Sequence, residues 1–340
     1  MSTMSPSQPA TLARGRELTE PALRDAVDRL DPSTARVAAY HLGWCDENGD
    51  QISGSGGKAV RPVLALLAAE AVGAPPEVAV PGAVAVELVH NFSLLHDDLM
   101  DRDTQRRHRR TVWSIWGAAT AILAGDALLA LAHEILLESP SAGAGRAAWL
   151  LASATRELTR GQVADLAFET RDEVGLDECL DMAGAKTGSL LAASAAIGAV
   201  LADAPHSTVD ALMAFGRHVG LAFQFVDDVL GIWGDPTVTG KPAHSDLAAR
   251  KKSLPITHAM DRADLDPDLA GWLIGVGAPT QLSYPRVAEL LDQAGVREWA
   301  LGQAARRMRL AEGVLSEVDI KPQARIELIE LARYVVERDS

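Results

Sequence analysis

Cysteine is nearly absent from this 340-residue chain: only Cys45 and Cys179 occur, and they have neither a paired spacing nor a metal-ligand spacing. That excludes a disulfide framework and a thiolate metal site, and it fits two buried thiols in a reducing compartment, the cytoplasm. Basic excess is lacking too, since 32 Lys and Arg stand against 46 Asp and Glu, a formal net charge of −14. A nucleic-acid or anionic-membrane binder needs a basic face to replace counterions, so neither class is expected. The opening MSTMSPSQPATLARGR has no apolar core of the signal-peptide kind and reads as a loose tail over residues 1–16. The longest low-polarity run, Gly188 to Ala202, is too short to span a bilayer and is built of Ala, Gly and Ser, as a tightly packed interior helix would be. Alternating strand-like stretches, linkers and internal repeats are missing as well.

What the chain has is apolar residue at helical spacing. With 48% hydrophobic residues and Ala- and Leu-rich segments throughout, it is expected to be all-α, a single domain over residues 17–340. Helices are expected at about 17–42, 62–73, 80–102, 112–138, 145–170, 176–202, 206–233, 284–294, 297–317 and 322–337. The segment ending in DDLMD is apolar all round, which places it inside a helical assembly.

Two acidic clusters interrupt this apolar sequence: Asp97, Asp98 and Asp101, with Asp103 following, and Asp227 with Asp228 inside FQFVDDVL. Four residues along a helix return to the same face, so Asp97 and Asp101 can grip one hard cation between them. Carboxylates crowded beside apolar sequence repel one another and need external counter-charge, which Mg²⁺ carrying a polyphosphate supplies. Basic loops adjoin them. ISGSGGKAVRP brings Lys58 and Arg61, with Pro62 as the first helical residue and Arg61 pushed to extended geometry. DRDTQRRHRRTVW brings Arg106, Arg107, Arg109 and Arg110; GDPTVTGKPAHSDLAARKKSLP brings Lys241, Arg250, Lys251 and Lys252. Any one loop alone is most simply a solvated face. Paired twice with acid clusters, they are instead suited to phosphate oxygens that the metal also touches.

Polar residues continue the pattern along the helices. Glu87, His90 and Asn91 form a stripe with the first cluster, and Gln224 shares a face with Asp227 and Asp228. Gln162 with Asp165, and Lys186 with Thr187, sit in Ala-rich helices, where a lysine is costly unless it meets an anion. A satisfied core histidine at His90 and a snorkelling surface lysine at Lys186 are the bland alternatives.

Taken in order, GGKAVRP, HNFSLLHDDLMD, RRHRRT, GDALL, GQVADL, KTGSLL, FQFVDD and GK with SDLAARKKSLP resemble the trans-prenyl diphosphate synthase family over about residues 20–260. The resemblance implies a single bundle of long helices around a deep central cavity, the isoprenoid synthase fold, usually as a homodimer. It implies head-to-tail condensation of isopentenyl diphosphate with an allylic diphosphate (dimethylallyl, geranyl or farnesyl), the released pyrophosphate taking the last proton. By resemblance Asp97, Asp101 and Asp227 coordinate three Mg²⁺ ions, and Asp98, Gln162, Asp165, Gln224 and Asp228 support the metal waters or the diphosphate. Arg106, Lys186, Thr187, Lys241 and Lys251 match positions for the allylic diphosphate; Lys58, Arg61, His90 and Arg107 match positions for isopentenyl diphosphate.

The chain departs from the family pattern in two places. The second acidic motif, normally DDxxD, reads DDVLG, with Gly231 last and Asp235 one turn beyond, so a loosened set of supporting carboxylates is expected around Asp227. RRHRRT puts His108 and Arg110 where Gly and Pro are usual, and an exposed Arg110 is expected. Phe92 lies five residues before Asp97, roughly 7.5 Å down the helix axis. With small Ser93 beside it, and only Val89 and Ala85 deeper, the resemblance favours a C20 product over C15. A terpene cyclase, a head-to-head condensing enzyme and a non-catalytic prenyl-diphosphate-binding subunit are the rival readings; the two cyclising or head-to-head enzymes have no need of GGKAVRP.

Overall fold

The computed structural model describes residues 9–52, 57–236, 243–274 and 282–337. Long helices dominate: α1 (Ala10–Val27), α2 (Pro32–His41), α3 (Val60–Ala71), α4 (Val80–Met100), a hairpin of β1 (Gln105–Arg106) and β2 (Arg109–Arg110), α5 (Val112–Trp116), α6 (Ala118–Glu138), α7 (Ala144–Glu169), α8 (Leu176–Ala183), α9 (Ser189–Leu201) and α10 (His206–Trp233). Shorter helices follow, α11 (Ser245–Ala248), α12 (Leu254–Met260), α13 (Pro267–Ile274) and α14 (Tyr284–Gln293), before α15 (Val296–Ser316) and α16 (Pro322–Val336) close the chain.

α9 is buried on every side, from Leu190 to Leu201. It packs on α3, α4, α7 and α10. Ala and Gly make that possible, because Gly198 lies directly on the Ala65 backbone and Gly216 of α10 on the Leu191 carbonyl. Three helical stretches, Pro76–Met100, Ala118–Glu138 and Leu176–Leu201, are long and apolar enough to cross a membrane by length and composition, but the first and third are 72% and 83% buried inside the protein. Their apolarity answers to the bundle interior. The middle one is only 39% buried.

Several local expectations are corrected. The helix expected over 17–42 is two, because Asp31 and Pro32 start α2 afresh: the Asp31 side chain accepts from the Ser33 and Thr34 amides, and Pro32 takes the first helical position. The tail expected over 1–16 is helical from Ala10, where Leu12 is fully buried. Arg61, expected to be extended, is helical, and Pro62 is the third residue of α3; within the first turn a proline forfeits no intrahelical bond. The stretch 112–138 breaks at Gly117, whose φ of 86° is left-handed. Helices α11, α12 and α13 and the hairpin were not expected; they are too short to show a period.

Candidate active site

The C-terminal end of α4 delivers the first acidic cluster. Asp101 caps the helix, with Arg102 left-handed at φ 57°; the Asp103 amide returns to the Asp98 carbonyl and the Arg102 amide to Leu99. This is a Schellman closure, with arginine where glycine is usual. Carboxylates at a helix C-terminus face the negative end of its dipole, which adds to their need for a cation. Burial, opposed by Arg106, pushes Asp98 up to about 6. Burial likewise pushes Asp101 up to about 6, against the pull of Lys186 and with Asp97 adding to the rise.

The hairpin folds back over this end. Gln105 pairs with Arg110 and Arg106 with Arg109, and Arg107 and His108 both take positive φ at the tip, as in a type I′ turn. That turn separates the two arginines. Arg106 Nε donates to Asp98 Oδ1 at 2.7 Å, whereas the Arg107 guanidinium lies against Gly57, where a Cβ would come within 2.9 Å of Nη2. Arg109 is tied inward to the Tyr40 and Cys45 carbonyls at 2.9 and 2.7 Å, and Arg110 is exposed, as expected.

Arg107 thereby joins the Lys58 and Arg61 side of the molecule. His90 lies within the field of Arg61, Arg107 and Arg106; burial first and these cations next hold it well below the ordinary histidine value. It is therefore a neutral ring, suited to hydrogen-bond a diphosphate. Lys58 sits with Nζ 5.2 Å from the Tyr334 ring of α16. His41, at the end of α2, belongs to the same cluster and was missed in the sequence because nothing near it is patterned. Burial pushes it down to about 3, with Arg106, Arg107 and Arg109 adding to the effect, and its Nε2 has no partner among the described residues. It lines a pocket of about 80 Å³ with Asp98, Arg106, Arg107, Arg109 and Arg110.

On the opposite wall the helix carrying Lys186 and Thr187 loosens into a π turn, Gly184–Gly188, between α8 and α9. Gly161 of α7 permits the close approach: a Cβ there would stand 2.8 Å from Lys186 Cβ and nearer still to its backbone. Lys186 Nζ bonds Asp165 Oδ2 at 2.6 Å, and Thr187 Oγ1 donates to Gln224 Oε1 at 2.8 Å. Gln162 is 5% exposed, yet neither its amide nitrogen nor its oxygen has a partner among the described residues, and the same holds for Asp98 Oδ2. Buried polar atoms of this kind await a ligand or an ordered water.

From α10, Asp227 is half-buried and Asp228 buried. Asp228 is committed to structure: it accepts from Gln224 Nε2 at 2.8 Å and from the Leu254 amide of α12 at 2.9 Å, with Lys251 Nζ at 3.9 Å. Asp235, expected one turn along the helix, lies past the end of α10 in an exposed segment. Lys241 lies outside the described residues. Among the described residues no three His, Cys, Asp or Glu side chains converge closely enough to hold a metal unaided. That suits Mg²⁺, which keeps its waters and takes one or two carboxylates plus substrate phosphates. Desolvated carboxylates, orphaned Asp98 Oδ2 and Gln162, and cations on both walls form a donor set that fits a Mg²⁺–diphosphate.

Residues 43–272 match the polyprenyl synthetase family model. A (2E,6E)-farnesyl diphosphate synthase of Mycobacterium tuberculosis is 52% identical over 97% of this chain and 93% of that protein, and a geranylgeranyl diphosphate synthase of the same species is 41% identical over 97% and 94%. The crystal structure of a polyprenyl synthetase from Streptomyces coelicolor A3(2) superposes with a TM-score of 0.89, at 52% identity, over 96% of this chain and 99% of that one. A geranylgeranyl pyrophosphate synthetase from Pyrococcus horikoshii gives 0.85 at 35% identity over 97% and 98%. With that family model spanning most of its helical body, this chain belongs to the polyprenyl synthetase family.

Proposed function

We propose that this prenyltransferase condenses isopentenyl diphosphate with an allylic diphosphate at the cleft between α4, α7 and α10, with a C20 linear diphosphate as product. The observation that carries the reading is the division of cations into two groups. Lys186 and Arg106 each hold a carboxylate of the acidic cleft, while Arg61 and Arg107 gather about the neutral His90, with Arg107 against Gly57 beside Lys58. Two anionic substrates need two such sites.

Asp97, Asp101 and Asp227 would hold Mg²⁺, which supplies positive charge to the departing diphosphate. Lys186 and Arg106 stabilise the same developing charge as the allylic C–O bond breaks and its electron pair leaves with pyrophosphate. The second pocket orients isopentenyl diphosphate so that its double bond attacks the allylic carbon, and the proton lost from the adjacent carbon goes to pyrophosphate. Buried apolar residues below the cleft, Val89 and Ala85 among them, keep water from the cation.

Phe92 supports the proposed chain-length floor. Its ring meets His96 edge-on at 4.8 Å, and His96 Nε2 is 3.1 Å from the Ile122 carbonyl of α6, so the floor is braced from outside. Ser93 is buried with its hydroxyl on the His90 carbonyl, and it adds little bulk. A C15 product is the second reading, favoured by the 52% identity to a farnesyl diphosphate synthase.

We also propose a homodimer. Ile122, Leu123 and Leu137 of α6 and Trp149 of α7 are 43 to 71% exposed, an apolar surface that a second copy would cover. Light scattering on the purified protein tests this; a monomer at micromolar concentration overturns it. The activity test is purified protein with Mg²⁺, labelled isopentenyl diphosphate and each allylic primer in turn. A linear C20 diphosphate that disappears on chelation is expected; a hydrocarbon, or no turnover without an added partner, overturns the reading.

A further inference from the structure

Gly231 stands in the last turn of α10, still inside the helix, where glycine costs up to about 1 kcal/mol relative to alanine. Nothing in its backbone explains it, because the helix continues two residues further. A neighbour does. A Cβ built at Gly231 would lie 2.6 Å from Asp246 Oδ1 and closer still to Oδ2 and Cγ. The space that a side chain at position 231 would use is filled by the carboxylate of Asp246. We propose that Asp246 supplies, from α11, the carboxylate that the second acidic motif lacks at Gly231, as a positioning residue for Lys251 and for the Mg²⁺ site at Asp227.

The placement of Asp246 is built rather than incidental. On one side His244 Nδ1 is 2.6 Å from the Ile232 carbonyl, tying the segment to α10 one residue after Gly231. On the other, Leu247 is 1% exposed and packs with Ile232 in one apolar cluster. These two anchors fix the intervening carboxylate against Gly231. The Asp246 carbonyl in turn accepts from the Lys251 amide at 2.9 Å, so the same residue turns the chain and delivers Lys251. Burial opposes the Lys251 charge, and Asp228, Asp246, Asp227 and Asp165 together outweigh it. Asp246 therefore faces the acid cleft from a different segment than the motif, and the second cluster is not short of a carboxylate.

Two carboxylates cannot occupy one place. Restoring aspartate at 231 while Asp246 remains forces the Asp246 carboxylate out of its place, whereas exchanging the two restores the arrangement. This rests on the reading of Asp227 as a Mg²⁺ ligand, and the test separates the two. Binding of inorganic pyrophosphate is measured by calorimetry across a Mg²⁺ titration for the wild type, Asp246→Asn, Gly231→Asp and the double variant Gly231→Asp/Asp246→Ala, with melting temperatures alongside. Asp246→Asn is expected to weaken Mg²⁺-dependent binding by about tenfold, as loss of a residue supporting a metal ligand does. Gly231→Asp is expected to bind as weakly and to melt lower, and the double variant to return to within about threefold of wild type, well short of that loss. Unchanged binding in Asp246→Asn, or a double variant no better than Gly231→Asp, overturns the proposal alone. A wild type that binds no pyrophosphate with Mg²⁺ overturns the functional reading and the proposal with it. If Gly231→Asp does not fold, Asp246→Asn against the double variant still decides, since both keep the geometry open.

Discussion

Arg106 Nε donates to Asp98 Oδ1 at 2.7 Å, and the Asp98 side chain is only 2% exposed. The hairpin is thus pinned to the end of α4 through the acidic motif itself. Asp98 is compensated on one oxygen and orphaned on the other, Oδ2. Arg106→Gln leaves a buried carboxylate without its cation and is expected to destabilise the protein by about 3 kcal/mol, less whatever solvent screens at the part-exposed arginine. Denaturant melts without Mg²⁺ check this; an unchanged midpoint would show that the pair contributes nothing.

Lys186 rests on Asp165 at 2.6 Å. In the proposed reaction it moves its charge to the diphosphate, so Lys186→Ala should lower kcat by about 10²- to 10³-fold, the typical effect of removing one donor to developing charge. Steady-state rates with saturating primer measure it. A change in KM alone would make Lys186 a binding residue only.

Gly161 is the reason Lys186 can sit where it does. Gly161→Ala forces a Cβ into the Lys186 backbone and is expected to cost about 1–3 kcal/mol of stability, typical of overpacking, together with most of the activity. Thermal denaturation and turnover on the same preparation test both parts.

His41 contributes to the pH dependence, beside His90, which burial also holds low. An ordinary histidine protonates near 6.5, whereas His41 in the fold does so only at about 3, chiefly because burial disfavours its charge. The unfolded chain therefore binds the proton first as pH falls. Stability from this group is fully present above pH 6.5 and is lost progressively between 6.5 and 3. His41→Gln should flatten the decline of melting temperature with pH across that window; a parallel decline in the variant would remove His41 as its source.

Phe92→Ala removes the ring that His96 and α6 brace. The product should lengthen by one or more five-carbon units, read by mass spectrometry of the dephosphorylated alcohols. An unchanged distribution would move the floor elsewhere.

The legible parts of this protein were those written in local spacing. The period of α4, α7 and α10 follows from apolar residues three and four apart, and the adjacency of DDLMD to RRHRRT is a fact of chain order. Where the reading slipped, a single residue outweighed the period: Pro32 divided one helix into two, and Gly117 another. The neutral state of His41 and His90 was not legible, since it depends first on burial and then on cations from two separate segments, the hairpin and the start of α3.

By itself, then, the sequence determined an all-helical chain with two acidic helix faces flanked by basic loops, because helix periodicity and charge order are properties of near neighbours. Only the tertiary structure decided how those faces are served. Asp228 is spent on holding α12, Asp235 lies beyond the helix, and the carboxylate against Gly231 comes from Asp246 fifteen residues later. Desolvation and close approach arise where helices pack, and packing joins residues whose separation along the chain carries no trace of their contact.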